Sequence, residues 1–159
     1  EQELMQIKGI GKVRAKQILA ALELAKRLNA PAEAPYIIRS PRDVAQLLIP
    51  EVRYLQVEHF VALFLNSKNG VIAKETLSIG SLNASIVHPR EVFKAAIKRS
   101  SASIIVAHNH PSGNPIPSSE DIQITKRLVE SGNIIGIEVL DHIIIGGNQF
   151  YSLKEQGLM

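Results

Sequence analysis

The stretch SIIVAHNHPSGNPIPSSED, residues 103–121, contains the strongest indications of the fold. Residues 103–107 form a β-branched, apolar run, which predicts a buried central strand. The loop predicted for residues 108–117 contains three prolines and one glycine, so it is stiff and loses little backbone entropy on ordering. Ser118 then begins a helix that we expect to end near Gly132, which can cap it. A buried strand that leads through a stiff loop into a helix indicates a domain that combines helices with a sheet.

Further strands and helices are predicted on both sides of this stretch. One helix is expected over residues 41–48, ending before Pro50, and another over residues 89–99. The other predicted strands are residues 57–65, 71–79, 84–87, 134–140, 142–145 and 149–153. The expected fold class is therefore α/β (α+β), with a mixed sheet of about six strands flanked by helices and a small N-terminal helical module.

The composition of the chain narrows the classes of protein. The chain has 159 residues, of which 45% are hydrophobic, as is typical of a folded domain and not of a disordered segment. It has no cysteine, which excludes disulfide scaffolds, cysteine zinc fingers, thiolate nucleophiles and iron–sulfur clusters. Any zinc site must then use histidines and carboxylates. Apolar runs such as 143–145 are too short to cross a bilayer, and nothing in the sequence indicates export, so we expect a cytoplasmic protein without membrane contacts.

The first 30 residues carry the whole net positive charge. They hold six of the 18 Lys and Arg residues and three of the 15 Asp and Glu residues, so the remainder of the chain is neutral overall. A Gly-Ile-Gly turn at residues 9–11 precedes a predicted helix over residues 12–28. The charge is interpreted either as a solvated helix face or as an element that binds DNA phosphates without reading sequence. The candidate DNA-binding residues are Lys8, Gly9, Gly11, Lys12, Arg14 and Lys16.

Two histidines stand two residues apart at the end of the predicted central strand. Alternate residues of an extended chain face the same side, so the rings of His108 and His110 can converge on one point. Asp121, in the first turn of the next helix, can complete a His₂Asp ligand set that leaves a fourth position open for water. Two other interpretations stay open: the histidines are ordinary hydrogen-bonded side chains, and Asp121 only caps its helix together with Ser118.

A metal-dependent hydrolase also needs a general base beside the metal site, and the candidates are Glu58, Glu75 and Glu91. Glu91 lies in the first turn of a helix, where the helix dipole already explains it, and Glu75 is expected to face solvent. Glu58 opens an apolar strand that can lie beside the central one, so it is the preferred candidate. The remaining histidines have no partner at ligand spacing and are interpreted as structural, hydrogen-bonded residues: His59, His88 and His142.

The spacing of the candidate ligands resembles a known motif. His108-x-His110, seven residues, Ser118, two residues and Asp121 match the JAMM (MPN+) metalloprotease motif, and residues 108–121 are similar to the version found in the bacterial RadC family. The flanking VHPREVFKAAIKRSSASIIVAHNHPSG (87–113) and VLDHIIIG (139–146) resemble that family too. The resemblance implies a JAMM/MPN, cytidine deaminase-like architecture. It further implies three regions: a partial helix-hairpin-helix module over 1–29, a linker over 30–36 and a RadC-like JAMM domain over 37–159.

The resemblance also implies a chemistry for the site. It implies a Zn²⁺ ion bound by His108, His110 and Asp121, Glu58 as the catalytic base, and Ser118 as a group that helps to stabilise the tetrahedral intermediate. The implied reaction is hydrolysis of peptide or isopeptide bonds in a peptide or protein substrate, with an association with DNA repair.

Two other functions compete with this one. The first is a DNA-binding protein whose zinc domain is structural or inactive, which the bases of residues 8–16 favour. The second is a metal-dependent nuclease, which a single His₂Asp set and the lack of any Lys or Arg between residues 101 and 125 disfavour. For a peptidase we expect an open strand or strand-like loop near His108 that can pair with an extended substrate.

Overall fold

The structure of the protein is a computed structural model that describes residues 1–29, 36–80 and 87–159, with the backbone alone for residues 25–29. The chain divides into two compact units, Glu1–Ala34 and Pro35–Met159. The first unit contains two helices, and the second contains the sheet and three helices among the described residues. In the part of the chain that the structure describes, no helix is both long enough and apolar enough to cross a lipid bilayer.

The first unit consists of α1 (Gln2–Met5) and α2 (Lys12–Asn29). The turn between them places Gly9 at a φ of 93°, a conformation that glycine adopts without strain. Nη1 of Arg14 donates a hydrogen bond to the carbonyl oxygen of Gly9 at 2.9 Å, so this candidate DNA-binding residue also holds the turn. The helix predicted over residues 12–28 is confirmed, but its apolar stripe is only partly covered, since Ala15 is buried while Val13 is 71% exposed.

The second unit is a mixed sheet with helices on both faces, as the sequence predicts. Its elements are α3 (Pro41–Val52), β1 (His59–Leu65), β2 (Val71–Ile79), α4 (Pro89–Lys98), β3 (Ser103–Asn109), α5 (Ser119–Ile135), β4 (Glu138–Gly146) and β5 (Gln149–Ser152). The strand order is β2-β1-β3-β4-β5, in which only the β3–β4 pair is parallel. The predicted central strand is therefore confirmed as β3, whose residues are all buried.

Each face of the sheet carries its own apolar core. Alternate residues of β1 and β3 point to opposite faces. Phe60 and Val106 belong to the core formed with α4 and α5, whereas Val61 and Ile105 belong to the core formed with α3. His108 follows the alternation of Val106 and pairs directly with Phe60, so its ring lies on the face that α5 covers. The fold thus brings the start of α5 and the end of β3 to the same region.

Two predicted helix ends are wrong. The helix α3 does not end before Pro50 but continues to Val52, and the backbone N–H of Arg53 donates to the carbonyl oxygen of Ile49. Proline disfavours a helix interior because it lacks an N–H and crowds the preceding turn. Here Leu48 and Val52, on either side of Pro50, are buried in the core, and their packing offsets that cost.

The helix α5 likewise passes Gly132 and ends at Ile135. The left-handed cap residue is Gly136, with a φ of 81°, and its N–H donates to the carbonyl oxygen of Gly132 at 2.8 Å. Gly132 serves close packing instead, because a Cβ atom there would lie 2.5 Å from the carbonyl oxygen of Ile137 and 3.2 Å from the ring of Phe93.

The number of strands also differs from the prediction, because α5 extends to Ile135. The two strands expected over 134–140 and 142–145 are one strand, β4, because the first residues of that range still belong to α5. The described residues therefore hold five strands in one sheet rather than about six. The short strand expected over 84–87 lies, except for Val87, outside the described residues.

Candidate metal centre

The two histidines of the motif lie at the end of β3 with their rings in contact. The buried ring of His108 lies on the face of the sheet that α5 covers, and the partly buried His110 follows the last strand residue. The backbone N–H of His110 donates to the carbonyl oxygen of Ile145 on β4 at 2.8 Å, which keeps the chain extended beyond β3. The Nε2 atoms of the two rings are 2.9 Å apart. The convergence that the spacing predicts is therefore present in the structure.

Asp121 completes the cluster from the first turn of α5. Its Oδ1 lies 3.2 Å from Nε2 of His108, and its Oδ2 lies 3.4 Å from Nε2 of His110. One ligand atom from each residue falls within 4.8 Å of the other two, and the carboxylate is 2% exposed. The three side chains could hold a metal ion between them.

The capping role that competes with metal binding is also present. Both the backbone N–H and the hydroxyl of Ser118 donate to Oδ2 of Asp121 at 2.7 Å, and the N–H of Asp121 donates to Oγ of Ser118 at 3.2 Å. This is a capping box at the start of α5. The two functions do not exclude each other, because the capping bonds hold Oδ2 and leave Oδ1 directed at His108. Ser118 thus acts here on the carboxylate of Asp121.

The charges of the cluster favour a bound cation. Burial alone would raise the pKa of Asp121, but its close contacts with His108 and His110 and the hydrogen bonds donated by Ser118 hold the pKa well below its usual value. Burial lowers the pKa of His108, whereas the hydrogen bond with Asp121 raises the pKa of the less buried His110. An ionised carboxylate and two imidazole nitrogens therefore face one point. This set of one oxygen and two nitrogens suits zinc, and three protein ligands leave one position open.

The loop after β3 fixes the orientation of the His110 ring. Its Nδ1 lies 2.7 Å from the carbonyl oxygen of Asn114, which can only accept a hydrogen bond, so Nδ1 carries the proton and Nε2 faces the cluster. The loop packs directly on the end of β4, because a Cβ atom at Gly146 would lie 2.5 Å from the carbonyl oxygen of Gly113 and 2.6 Å from the nitrogen of Pro115. The end of β4 therefore supports the loop that positions His110.

Of the three candidate bases, the structure brings Glu58 to the cluster. Glu58 immediately precedes β1, and the pairing of β1 with β3 begins at Phe60 and His108, two residues along the chain from Glu58. Its charge acts on both ligand histidines: it opposes the burial that lowers the pKa of His108, and it adds to the effect of Asp121, which raises the pKa of His110.

The other two candidate bases pair with arginines elsewhere. Glu75 does not simply face solvent, since it forms an ion pair with Arg99 at the end of α4. Glu91 pairs with Arg90 at the start of the same helix.

His142 is a buried, hydrogen-bonded histidine as predicted, but the sequence did not predict that its partner is the candidate ligand His108. His142, on β4, is fully buried, and its Nε2 lies 2.8 Å from Nδ1 of His108. Complete burial lowers the pKa of His142 well below its usual value, so its ring is neutral. The available signal was a histidine inside the apolar run of residues 139–145, where a buried polar group must have a partner. His88 is also a structural histidine as predicted: its Nδ1 accepts from the N–H of Arg90 and caps α4.

The candidate DNA-binding residues of the first unit are all exposed: Lys8, Gly9, Gly11, Lys12, Arg14 and Lys16. They flank the turn and the first turns of α2. Their exposure leaves the two interpretations of this charge, a solvated face and a phosphate-binding element, both open.

Comparison with known proteins gives one family and many relatives. The family described as "RadC-like JAB domain" matches residues 38–158. The chain is 63% identical over 159 residues to a UPF0758 protein of Desulforamulus reducens, an alignment that covers 99% of this chain and 70% of that protein. It is also 63% identical over 159 residues to a UPF0758 protein of Alkaliphilus metalliredigens, covering 99% and 68%. A UPF0758 protein of Geobacillus kaustophilus is 61% identical over 157 residues, covering 98% and 70%.

Proposed function

This chain belongs to the family of RadC-like JAB domains, and we propose that it is a zinc-dependent hydrolase that cleaves peptide or isopeptide bonds. The observation that carries the proposal is the buried convergence of His108, His110 and Asp121 at the end of the central strand. Strand ends on a rigid sheet are where folds of this kind build their sites. When bound, zinc supplies Lewis acidity, which activates water and polarises a carbonyl group.

Glu58 acts as the general base in this proposal. Its place just before β1, with a charge that acts on both His108 and His110, supports this role. The carboxylate of Glu58 takes a proton from the attacking water and returns it to the nitrogen of the leaving group. Gly80 supports this placement, because its N–H donates to the carbonyl oxygen of Glu58 at 2.8 Å and ties the residue to the end of β2.

Ser118 has a positioning role in the structure described here. Its hydroxyl has a single proton and donates it to Oδ2 of Asp121. Ser118 therefore holds the carboxylate in place for metal binding. The further role in stabilising a tetrahedral intermediate requires the hydroxyl to turn from Asp121 towards the substrate oxygen, and it stays a prediction.

The charge around the motif supports a peptide substrate over a nucleic acid. Residues 101–125 contain no Lys or Arg that could neutralise phosphates beside the cluster. The open strand that we expect near His108 for a peptidase is not found at β3, because β1 and β4 occupy both of its edges. The strand at the sheet edge on the Glu58 side is β2, which lies beyond β1.

Cleavage by the zinc-loaded full chain tests this proposal. We would incubate it with a degenerate peptide library and with two peptides joined by a lysine isopeptide bond, and identify products by mass spectrometry. We expect cleavage that a chelator stops and added zinc restores. Zinc-dependent cutting of DNA together with intact peptides and isopeptides would overturn the proposal in favour of a nuclease.

A second function, sequence-independent DNA binding, rests on a separate observation. The bases Lys8, Lys12 and Lys16 are exposed around the turn and the start of α2, and the backbone N–H groups at the start of a helix generally attract phosphates. The two functions are compatible, because each belongs to a different unit of the chain. A salt titration of duplex binding, described below, tests the second one.

A further inference from the structure

A chain of hydrogen bonds runs through the core behind the candidate metal centre. It begins at the backbone carbonyl of Asp121, which lies 2.5 Å from Oγ1 of Thr125. Oγ1 of Thr125 lies 2.6 Å from Nδ1 of His142, and Nε2 of His142 lies 2.8 Å from Nδ1 of His108. Thr125, His142 and His108 are each at most 1% exposed, so water does not compete for these bonds.

The direction of every bond in this chain follows from its first acceptor. A carbonyl oxygen only accepts, so the hydroxyl of Thr125 must donate its single proton to Asp121. That hydroxyl can then only accept from His142, which places the proton of His142 on Nδ1. With its proton on Nδ1, the fully buried ring of His142 offers the lone pair of Nε2, which accepts the N–H of His108 Nδ1.

We propose that His142 is a positioning residue, which holds His108 in the tautomer with its proton on Nδ1 so that Nε2 is directed to a metal ion. The inference rests on the metal site of the proposed function. Beyond that site, the inference names a residue, His142, that would not contact the metal ion. It also explains why His108 directs Nε2 to the ion. Groups that orient a ligand histidine through its second nitrogen also raise its basicity and its affinity for the metal.

The chain of bonds also couples two of the three candidate ligands. Asp121 offers its side chain to the cluster and its backbone carbonyl to Thr125. The same helical turn that places the carboxylate thus sets the tautomer of His108, through His142 on a different strand. His110 does not depend on this chain, since the carbonyl of Asn114 sets its tautomer.

The protonation pattern can be measured in the metal-free wild-type protein. Long-range ¹H–¹⁵N correlation spectra of the imidazole rings distinguish a proton on Nδ1 from a proton on Nε2. We expect both His108 and His142 to carry their protons on Nδ1. A spectrum that shows His108 with its proton on Nε2 overturns the inference. This measurement uses only the wild-type protein, so it does not depend on whether a variant folds.

Variants then connect the tautomer to zinc affinity. His142→Leu removes the acceptor, and we expect zinc to bind about 10–100-fold more weakly in competition with a chromogenic chelator. His142→Gln supplies an amide oxygen that can accept the hydrogen bond from His108, so it should restore much of the affinity. Thr125→Val removes only the hydroxyl and should weaken binding, whereas Thr125→Ser should not. His88→Asn, which keeps a cap on α4, is the control for loss of a histidine elsewhere.

The outcomes separate this inference from the proposed function. Wild-type protein that binds no zinc overturns the proposed function, and the inference falls with it. Wild-type protein that binds zinc, with His142→Leu and Thr125→Val binding it equally well, overturns the inference alone. Equal losses in His142→Gln and His142→Leu, with circular dichroism showing both variants folded, would mean that His142 only fills space, and this result also overturns it.

Discussion

Nε2 of His108 lies 2.9 Å from Nε2 of His110, and each ring is held in position by a hydrogen bond at its other nitrogen, Nδ1. Nδ1 of His108 is hydrogen-bonded to Nε2 of His142, and Nδ1 of His110 is hydrogen-bonded to the backbone carbonyl of Asn114. With both protons on Nδ1, two lone pairs face each other, so either an additional proton or a cation must lie between them. The candidate metal site is therefore preorganised by groups outside the three candidate ligands.

Glu58→Gln should separate catalysis from metal binding. The amide cannot take a proton from water, so we expect the rate of hydrolysis to fall by about 10²–10⁴-fold while the zinc content stays that of the wild type. The measurements are turnover on a cleaved peptide and metal analysis of the same sample. Glu138→Gln, an exposed change at the opposite end of the sheet, is the matched control and should leave both unchanged. Loss of zinc together with activity would mean that Glu58 is not simply a base.

Gly146→Ala should disturb the metal centre from outside it. The added Cβ would meet the backbone of Gly113 and Pro115, so the loop that fixes His110 must shift. Such overpacking costs roughly 1–3 kcal/mol of unfolding free energy, and we expect weaker zinc binding as well. Gly147→Ala is the control: its φ of 58° strains an alanine, but no atom lies within 4 Å of the added carbon. Equal zinc affinity in the two variants would contradict the role given to the loop.

The first unit should bind duplex DNA weakly and without sequence preference. Lys8, Lys12, Arg14 and Lys16 can each neutralise about one phosphate, so the logarithm of the affinity should fall with the logarithm of salt with a slope of about −0.9 per contact. Lys12→Glu combined with Lys16→Glu should reduce both the affinity and the slope in fluorescence anisotropy titrations. Lys68→Glu combined with Lys98→Glu changes the net charge equally on exposed residues of the second unit. If both double variants bind like the wild type, the charge of α2 is only a solvated face.

Asp141→Asn should change the pH dependence of stability. Burial raises the pKa of Asp141, although Ser152 and two backbone N–H groups donate to its carboxylate. Because the folded state binds the proton more tightly than the unfolded state, the free energy of unfolding should fall as pH rises from about 4 through the raised pKa. The asparagine variant lacks this loss, so it should gain stability relative to the wild type over that range.

Urea denaturation of the metal-free protein between acidic and neutral pH measures this effect of Asp141. Asp43→Asn should show the opposite sign, because hydrogen bonds from Arg39 and Ser40 lower the pKa of Asp43. The wild type should therefore gain stability over Asp43→Asn as pH rises through the ordinary range of a carboxyl group. The same trend in both variants would contradict these assignments.

The elements that the sequence predicts best are those set by local pattern. The apolar run at 103–107 predicts the central strand, and the spacing of His108, His110 and Asp121 predicts residues that the structure brings together. The errors arise where packing overrides a local signal. Pro50 lies inside a helix, and Gly132 serves close packing where the sequence predicts a cap.

His142 could not be assigned from spacing, because its partner lies 34 residues away on a neighbouring parallel strand. Sequence alone shows only that a polar ring interrupts the apolar run of β4. Which group satisfies it depends on the register of β3 against β4, and that register is a property of the folded sheet. The position of Glu58 depends in the same way on the pairing of β1 with β3.

Metal analysis of the purified full chain tests the central claim most directly. The protein would be reconstituted with zinc, dialysed against buffer and measured by plasma mass spectrometry, beside His110→Ala treated in parallel. We predict one zinc per chain in the wild type and a large loss in His110→Ala, since the variant lacks one of three protein ligands. Wild-type protein without stoichiometric metal, or His110→Ala that retains one zinc per chain, would contradict the assignment of His108, His110 and Asp121 as a zinc site.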